Sequence, residues 1–187
     1  MSTIFPVDFV DVSQMAAALV MKHAVNFVPD PFGSPRGDSE MMILRGPMTN
    51  DREMSLATWH ADQPQFDTAL LERWPSARNV LTAIARSHQL RTDHEPVFGK
   101  VLIRALKSGG YVDWNVADGA YADSYNRYCL NLIPSPGAWL YSGGNGTVLP
   151  QGQLTYFDNH VLNSAINLGP CAQVNLVVDI RKHEAVH

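Results

Sequence analysis

The chain has 187 residues, of which 45% are hydrophobic and 17% charged. A chain of this size buries a core without disulfides or a structural metal, and the composition excludes disorder. Its formal net charge of −4 argues against nonspecific attraction to nucleic-acid phosphates or to anionic membranes. The first fourteen residues hold Asp8 and Asp11 and no early basic residue, so no secretory leader is expected. The apolar run at 15–21 is too short to cross a bilayer. A cytoplasmic location is the resulting expectation. Ser13 is predicted to cap a helix carried by Met15, Leu19, Lys22, Val25 and Asn26. Residues 29–38 form a Pro/Gly-rich loop, and 41–44 form a short strand. Trp74-Pro75-Ser76 opens a second helix, with Pro75 where a missing N–H costs least. Val80, Leu81, Ile84 and Ala85 give that helix an apolar face, and it is expected to end near His88.

From Val97 the hydrophobic period changes. VFGKVLIRAL, YVDWNV, YNRYCLNLI, AWLYS, GTVL, QLTYFD, NSAINL and CAQVNLVVDI are short runs separated by Gly/Pro turns. About eight strands at this spacing predict a β-sandwich or jelly roll. The expected organisation is one mainly β (α+β) domain over 1–187. It comprises a mixed helical part at 1–95 covering one face, a jelly-roll core at 96–182 and a tail at 183–187 that holds His183 and His187. Cys129 and Cys171 lack metal-type spacing and are expected to be buried free thiols.

The second part also carries landmarks in a fixed order: LKSGGYV at 106–112, DWNVADG at 113–119, RYCLNL at 127–132, LPQGQLTYFDN at 149–159, NSAIN at 163–167 and QVNLVVD at 173–179. Their order and spacing resemble the aspartyl/asparaginyl β-hydroxylase branch of the 2-oxoglutarate and iron(II)-dependent oxygenases, over about residues 74–182. The resemblance implies a cupin-like double-stranded β-helix. It also implies an iron site of two histidines and a carboxylate, and an arginine that grips the 2-oxoglutarate carboxylate. At the matching positions stand Asn115 and Ala117 for the His-x-Asp motif, Asn163 for the distal histidine and Gln173 for the arginine. Of the family's Arg-x-His, Arg127 is kept and Cys129 replaces the histidine.

Amides are poor iron(II) ligands beside imidazole, and glutamine cannot form arginine's bidentate pair with a carboxylate. No histidine lies between His94 and His160, so a small shift of register cannot restore the first ligand. An alternative metal set would draw on Asp113, Asp118 and His160. However, His160 lies three residues before Asn163, which on a regular strand points it to the opposite face.

The expected function is therefore binding on a catalytically degenerate scaffold, with no cofactor. The ligand-binding residues would be Asn115, Ala117, Arg127, Cys129, Asn163 and Gln173, and the partner a small molecule or a protein, with no nucleic acid and no membrane. The alternative is an active hydroxylase using Fe(II) and 2-oxoglutarate with a different ligand set. A third class is an interaction protein that contacts its partner through the 29–38 loop and the Gly-rich hairpin at 143–146. A filled interior would favour that class, and an open cavity would favour ligand binding. Two bland readings accompany these. The three amides could bond to one another, and Arg127 could pair with Asp113 or Asp158. Trp114, Trp139 and Tyr141 could line a pocket mouth, and Arg104 and Lys107 read as a solvated strand edge.

Overall fold

The computed structural model describes residues 3–21, 27–30, 38–47 and 64–182. Helix positions Lys22, Val25 and Asn26, loop residues 31–37, His23, His60 and the tail at 183–187 lie outside them.

The elements in chain order are β1 (Ile4–Phe9), α1 (Ser13–Met21), β2 (Val28–Pro29), β3 (Ser39–Pro47), β4 (Gln65–Asp67), α2 (Ala69–Glu72), α3 (Pro75–Thr92), β5 (Phe98–Leu106), β6 (Tyr111–Asn115), α4 (Gly119–Ser124), β7 (Tyr125–Ile133), β8 (Ala138–Ser142), β9 (Asn145–Thr147), β10 (Gln153–Phe157), β11 (Asn163–Asn167) and β12 (Gln173–Arg181). Each of the eight runs after Val97 becomes one strand, β5 to β12. A larger sheet runs β1-β10-β7-β12-β5-β3-β2, with β4 paired to β3, and a smaller one runs β6-β11-β8-β9. All the pairings are antiparallel. The architecture is the mainly β jelly roll with N-terminal helices that the sequence predicts.

The two-residue period gives the larger sheet two unlike faces. Val101 and Ile103 of β5, Leu130 and Leu132 of β7, Leu154 of β10 and Leu176 and Val178 of β12 share the outer face. Met15 of α1, Trp74 at the cap of α3 and Ala77, Val80 and Ile84 along that helix close over them. Each fully buried aliphatic side chain there contributes about 1.5–3 kcal/mol. The core therefore lies on the side of this sheet away from the smaller sheet.

Three local expectations change. In α1, Asp11 rather than Ser13 supplies the polar acceptor, taking the Ser13 N–H at 3.0 Å. Strand β3 spans nine residues because β5 pairs with it from Ser39 to Arg45. Helix α3 runs past His88 to Thr92, where the Thr92 hydroxyl donates to the His88 carbonyl at 2.9 Å. Asp93 then stops it at φ 59°, and its N–H donates to the Gln89 carbonyl. Aspartate tolerates that left-handed turn better than most residues.

Truncating Ile84, which is fully buried, to alanine is expected to lower stability by about 2–5 kcal/mol in urea denaturation. The same change at Leu90, 79% exposed on the same helix, should cost no more than about 0.5 kcal/mol.

Candidate functional site

The inner face of the larger sheet mixes charged and polar side chains with apolar ones. Lys100, Leu102 and Arg104 of β5 point inward, as do Arg127 and Cys129 of β7 and Asn175 and Val177 of β12. Across from them the smaller sheet contributes Val112, Leu140, Asn163 and Ala165. Between the two sheets lies a cavity of about 370 Å³. Its rim is formed by Asn115, Ala117 and Asp118, and α4 closes one side with Tyr121 and Ala122.

Helix α4 is fastened by its aromatic ring. The Tyr121 oxygen accepts the Lys100 backbone N–H at 2.7 Å, and the ring stacks on Tyr125 with centroids 4.4 Å apart. Gly99 leaves room for this. A Cβ there would lie 2.5 Å from the Tyr125 ring and 2.6 Å from the Tyr121 oxygen.

Charge dominates the inner wall. Asp179, fully buried, sits opposite Arg127 in the β12–β7 register. Arg127 donates to it twice, Nε to Oδ1 at 2.8 Å and Nη2 to Oδ2 at 3.0 Å. Lys100 Nζ stands 3.8 Å from Asp179 Oδ2 and 5.7 Å from the centre of the Tyr121 ring. Arg104 has its own carboxylate, with Nε 2.7 Å from Oδ2 of the buried Asp30, which also accepts the Ser39 hydroxyl at 2.9 Å.

Ionisation follows from this packing. Burial acts to raise the Asp179 carboxyl, but the Arg127 and Lys100 charges outweigh it, and the pKa lies below the ordinary value. Burial, reinforced by the Arg127 charge, pushes the Lys100 ammonium down to about 7 against the pull of Asp179. Burial pushes the Cys129 thiol up to about 12, so that wall residue is neutral.

Of the residues singled out in the sequence, Asn115, Ala117, Arg127, Cys129 and Asn163 converge on the cavity. Gln173 does not. It is buried at the start of β12, opposite Leu106, and Asn175 two residues on takes its place in the wall. The positions matched to the two histidines are brought face to face, since Asn115 and Asn163 are register partners on β6 and β11. Their amides turn to nearby backbone rather than to each other, Asn115 Nδ2 donating to the Asp113 carbonyl at 2.8 Å and Asn163 Nδ2 to that of Val161 at 3.1 Å. Arg127 pairs with Asp179, not with Asp113 or Asp158. Arg104 belongs to the cavity wall rather than to a solvated edge. Cys129 is buried and Cys171 exposed, both as free thiols. Trp114 and Trp139 each contact Tyr141, and none of the three lines the cavity.

Iron(II) is ill matched to these residues. At the matching positions the side chains are an amide, a methyl group and an amide. No three His, Cys, Asp or Glu side chains among the described residues are grouped so as to hold a metal. His160 is instead 3.9 Å from Asp123 and 3.2 Å from Lys182 Nζ. Among the described residues no helix is long and apolar enough to cross a membrane.

No protein-family model matches this chain, and no curated protein matches its sequence. Solved structures do share its fold. An oxidoreductase of the 2OG-Fe(II) oxygenase family from Burkholderia pseudomallei superposes with a TM-score of 0.65 at 11% identity, covering 92% of this chain and 81% of that one. The non-heme alpha ketoglutarate dependent epimerase SnoN from nogalamycin biosynthesis gives 0.62 at 10% identity, covering 96% and 77%. A Pseudomonas putida prolyl-4-hydroxylase gives 0.59 at 10% identity, covering 96% and 91%. These neighbours are 2OG-Fe(II) oxygenases, and the likeness to them is one of fold.

Replacing Asp179 with asparagine leaves the Arg127 charge buried without its carboxylate. The expected loss is about 3–5 kcal/mol at pH 7 by chemical denaturation. Because the folded pKa of Asp179 is depressed, its contribution is present above the unfolded value of about 3.9 and is lost as pH falls through the lower folded value. The Asp179→Asn variant should therefore show a shallower acid limb than the native protein.

Proposed function

We propose that this protein is a binding protein on the 2-oxoglutarate oxygenase jelly roll, derived from the aspartyl/asparaginyl hydroxylase branch, that holds a small molecule between its sheets without iron chemistry. The observation that carries this reading is the cavity of about 370 Å³, whose metal-ligand positions hold Asn115, Ala117 and Asn163. A fold of this kind is readily reused, because function resides in the site and not in the scaffold. The open interior favours ligand binding over a purely structural role. Arg127, Cys129, Asn115, Ala117 and Asn163 are assigned to the ligand pocket, and Gln173 is set aside. The reading takes residues 1–187 as one domain and places the protein in the cytoplasm, in keeping with two free thiols.

Two measurements test it. Metal analysis of the purified protein after incubation with Fe(II), and a succinate-formation assay with 2-oxoglutarate, should give far less than one iron per chain and no turnover above background. Stoichiometric iron with turnover would establish the active-hydroxylase alternative instead. In the complementary direction, the variant Asn115→His/Ala117→Asp/Asn163→His places two imidazoles on opposed register partners. It is expected to gain Co(II) binding, read by visible absorption, that the native chain lacks.

A further inference from the structure

The cavity holds hydrogen-bonding groups that the protein leaves unmatched, acceptors on one wall and donors on the other. Asn163, only 7% exposed, donates from Nδ2 to the Val161 carbonyl at 3.1 Å. Its register partner Asn115 donates in the same way to the Asp113 carbonyl at 2.8 Å. A carbonyl only accepts, so the NH2 end of each amide must face it and neither amide can flip. The Oδ1 end of each is thereby set as an acceptor for a molecule in the cavity, and neither takes a hydrogen bond from any described residue. On the opposite wall Arg127 spends two of a guanidinium's five N–H bonds on Asp179, from Nε and Nη2. Its Nη1 has no acceptor among the described residues. Leu102, Val112, Leu140, Phe157 and Val177 supply apolar wall around these groups.

We propose that this cavity receives one small uncharged molecule with a primary amide at one end, a carbonyl acceptor at the other and an apolar body between. The amide NH2 offers an N–H to each asparagine oxygen, and the far carbonyl takes an N–H from Arg127. The ligand's own amide oxygen turns to the rim, where Asn115 is exposed to solvent. A carboxylate in place of the amide would set acceptor against acceptor at the asparagine pair. An ammonium has donors, but two neutral amide oxygens are too few to replace the water around a buried charge. The same shortage tells against Ca2+, which takes about six to eight oxygens. Arg127 needs no anion from the ligand, because Asp179 already lies against it at 2.8 and 3.0 Å. This inference rests on the binding reading above and names the ligand class of that site.

The test is isothermal titration of the full chain with a rigid probe, 4-acetylbenzamide, and a flexible one, 6-oxoheptanamide. At least one should bind with a Kd below about 1 mM. The tighter probe is then compared with analogues that change one group each. These carry CH3 in place of the amide NH2, a carboxylate or an aminomethyl group in place of the amide, or CH2 in place of the far carbonyl. Each should bind at least about tenfold more weakly than the parent probe. Asn163→Leu should weaken the parent about tenfold and leave the CH3 analogue within about twofold, a change of preference that a loosened fold would not give. Asn115→Leu, at the exposed rim, reads the same preference if that variant fails to fold. Failure of both probes to bind at millimolar concentration would overturn the proposal. So would equal affinity for the CH3 analogue or for the one without the far carbonyl, or tighter binding of the carboxylate or aminomethyl analogue. Such a failure without iron or turnover would leave the binding reading standing, whereas iron with turnover would remove it.

Discussion

The buried carboxylate of Asp179 is the constraint around which the interior is arranged. An ionised carboxylate out of water costs several kcal/mol unless charge and hydrogen bonds compensate it. Here the compensation comes from different parts of the fold: Arg127 on β7 directly opposite, Lys100 on β5 from the other side, and Tyr121 on α4 through a side-chain hydrogen bond. Three central strands and the helix that closes the cavity are thereby tied to one point. On that same face a small apolar cluster of Met41, Leu102 and Val177 packs beside the charged groups.

The two faces of the larger sheet divide the work. Its outer face, with α1 and α3, supplies the hydrophobic stabilisation through fully buried residues such as Leu44, Ile103, Leu130 and Leu176. The inner face is thus released from that task and presents Lys100, Arg104, Arg127 and Asn175 to a space enclosed by the smaller sheet. Rigid strands fix these groups in place.

The resemblance read from the landmarks and the register agree on one point of geometry. Asn115 and Asn163, matched to the family's two histidines, face each other across β6 and β11. The backbone sets these two positions side by side, while their side chains bond to local carbonyls. The cations of the cavity, Lys100, Arg104 and Arg127, lie on the opposite wall.

Much of this was legible in the sequence. Alternating apolar runs between Gly/Pro turns locate the eight strands, though not their ends, because strand periodicity is a local property. The apolar spacing of Val80, Leu81 and Ile84 likewise marks out α3, and the resemblance sets neutral residues, Asn115, Ala117 and Asn163, at the positions where it implies iron ligands. Tertiary structure alone decided which face of β5 turns inward, and so whether Lys100 and Arg104 meet solvent or a cavity. Alternation reveals two faces but not which one another sheet will cover. The pairing of Arg127 with Asp179 spans 52 residues and depends on strand register, which also leaves Gln173 off the cavity wall and sets Asn175 in it.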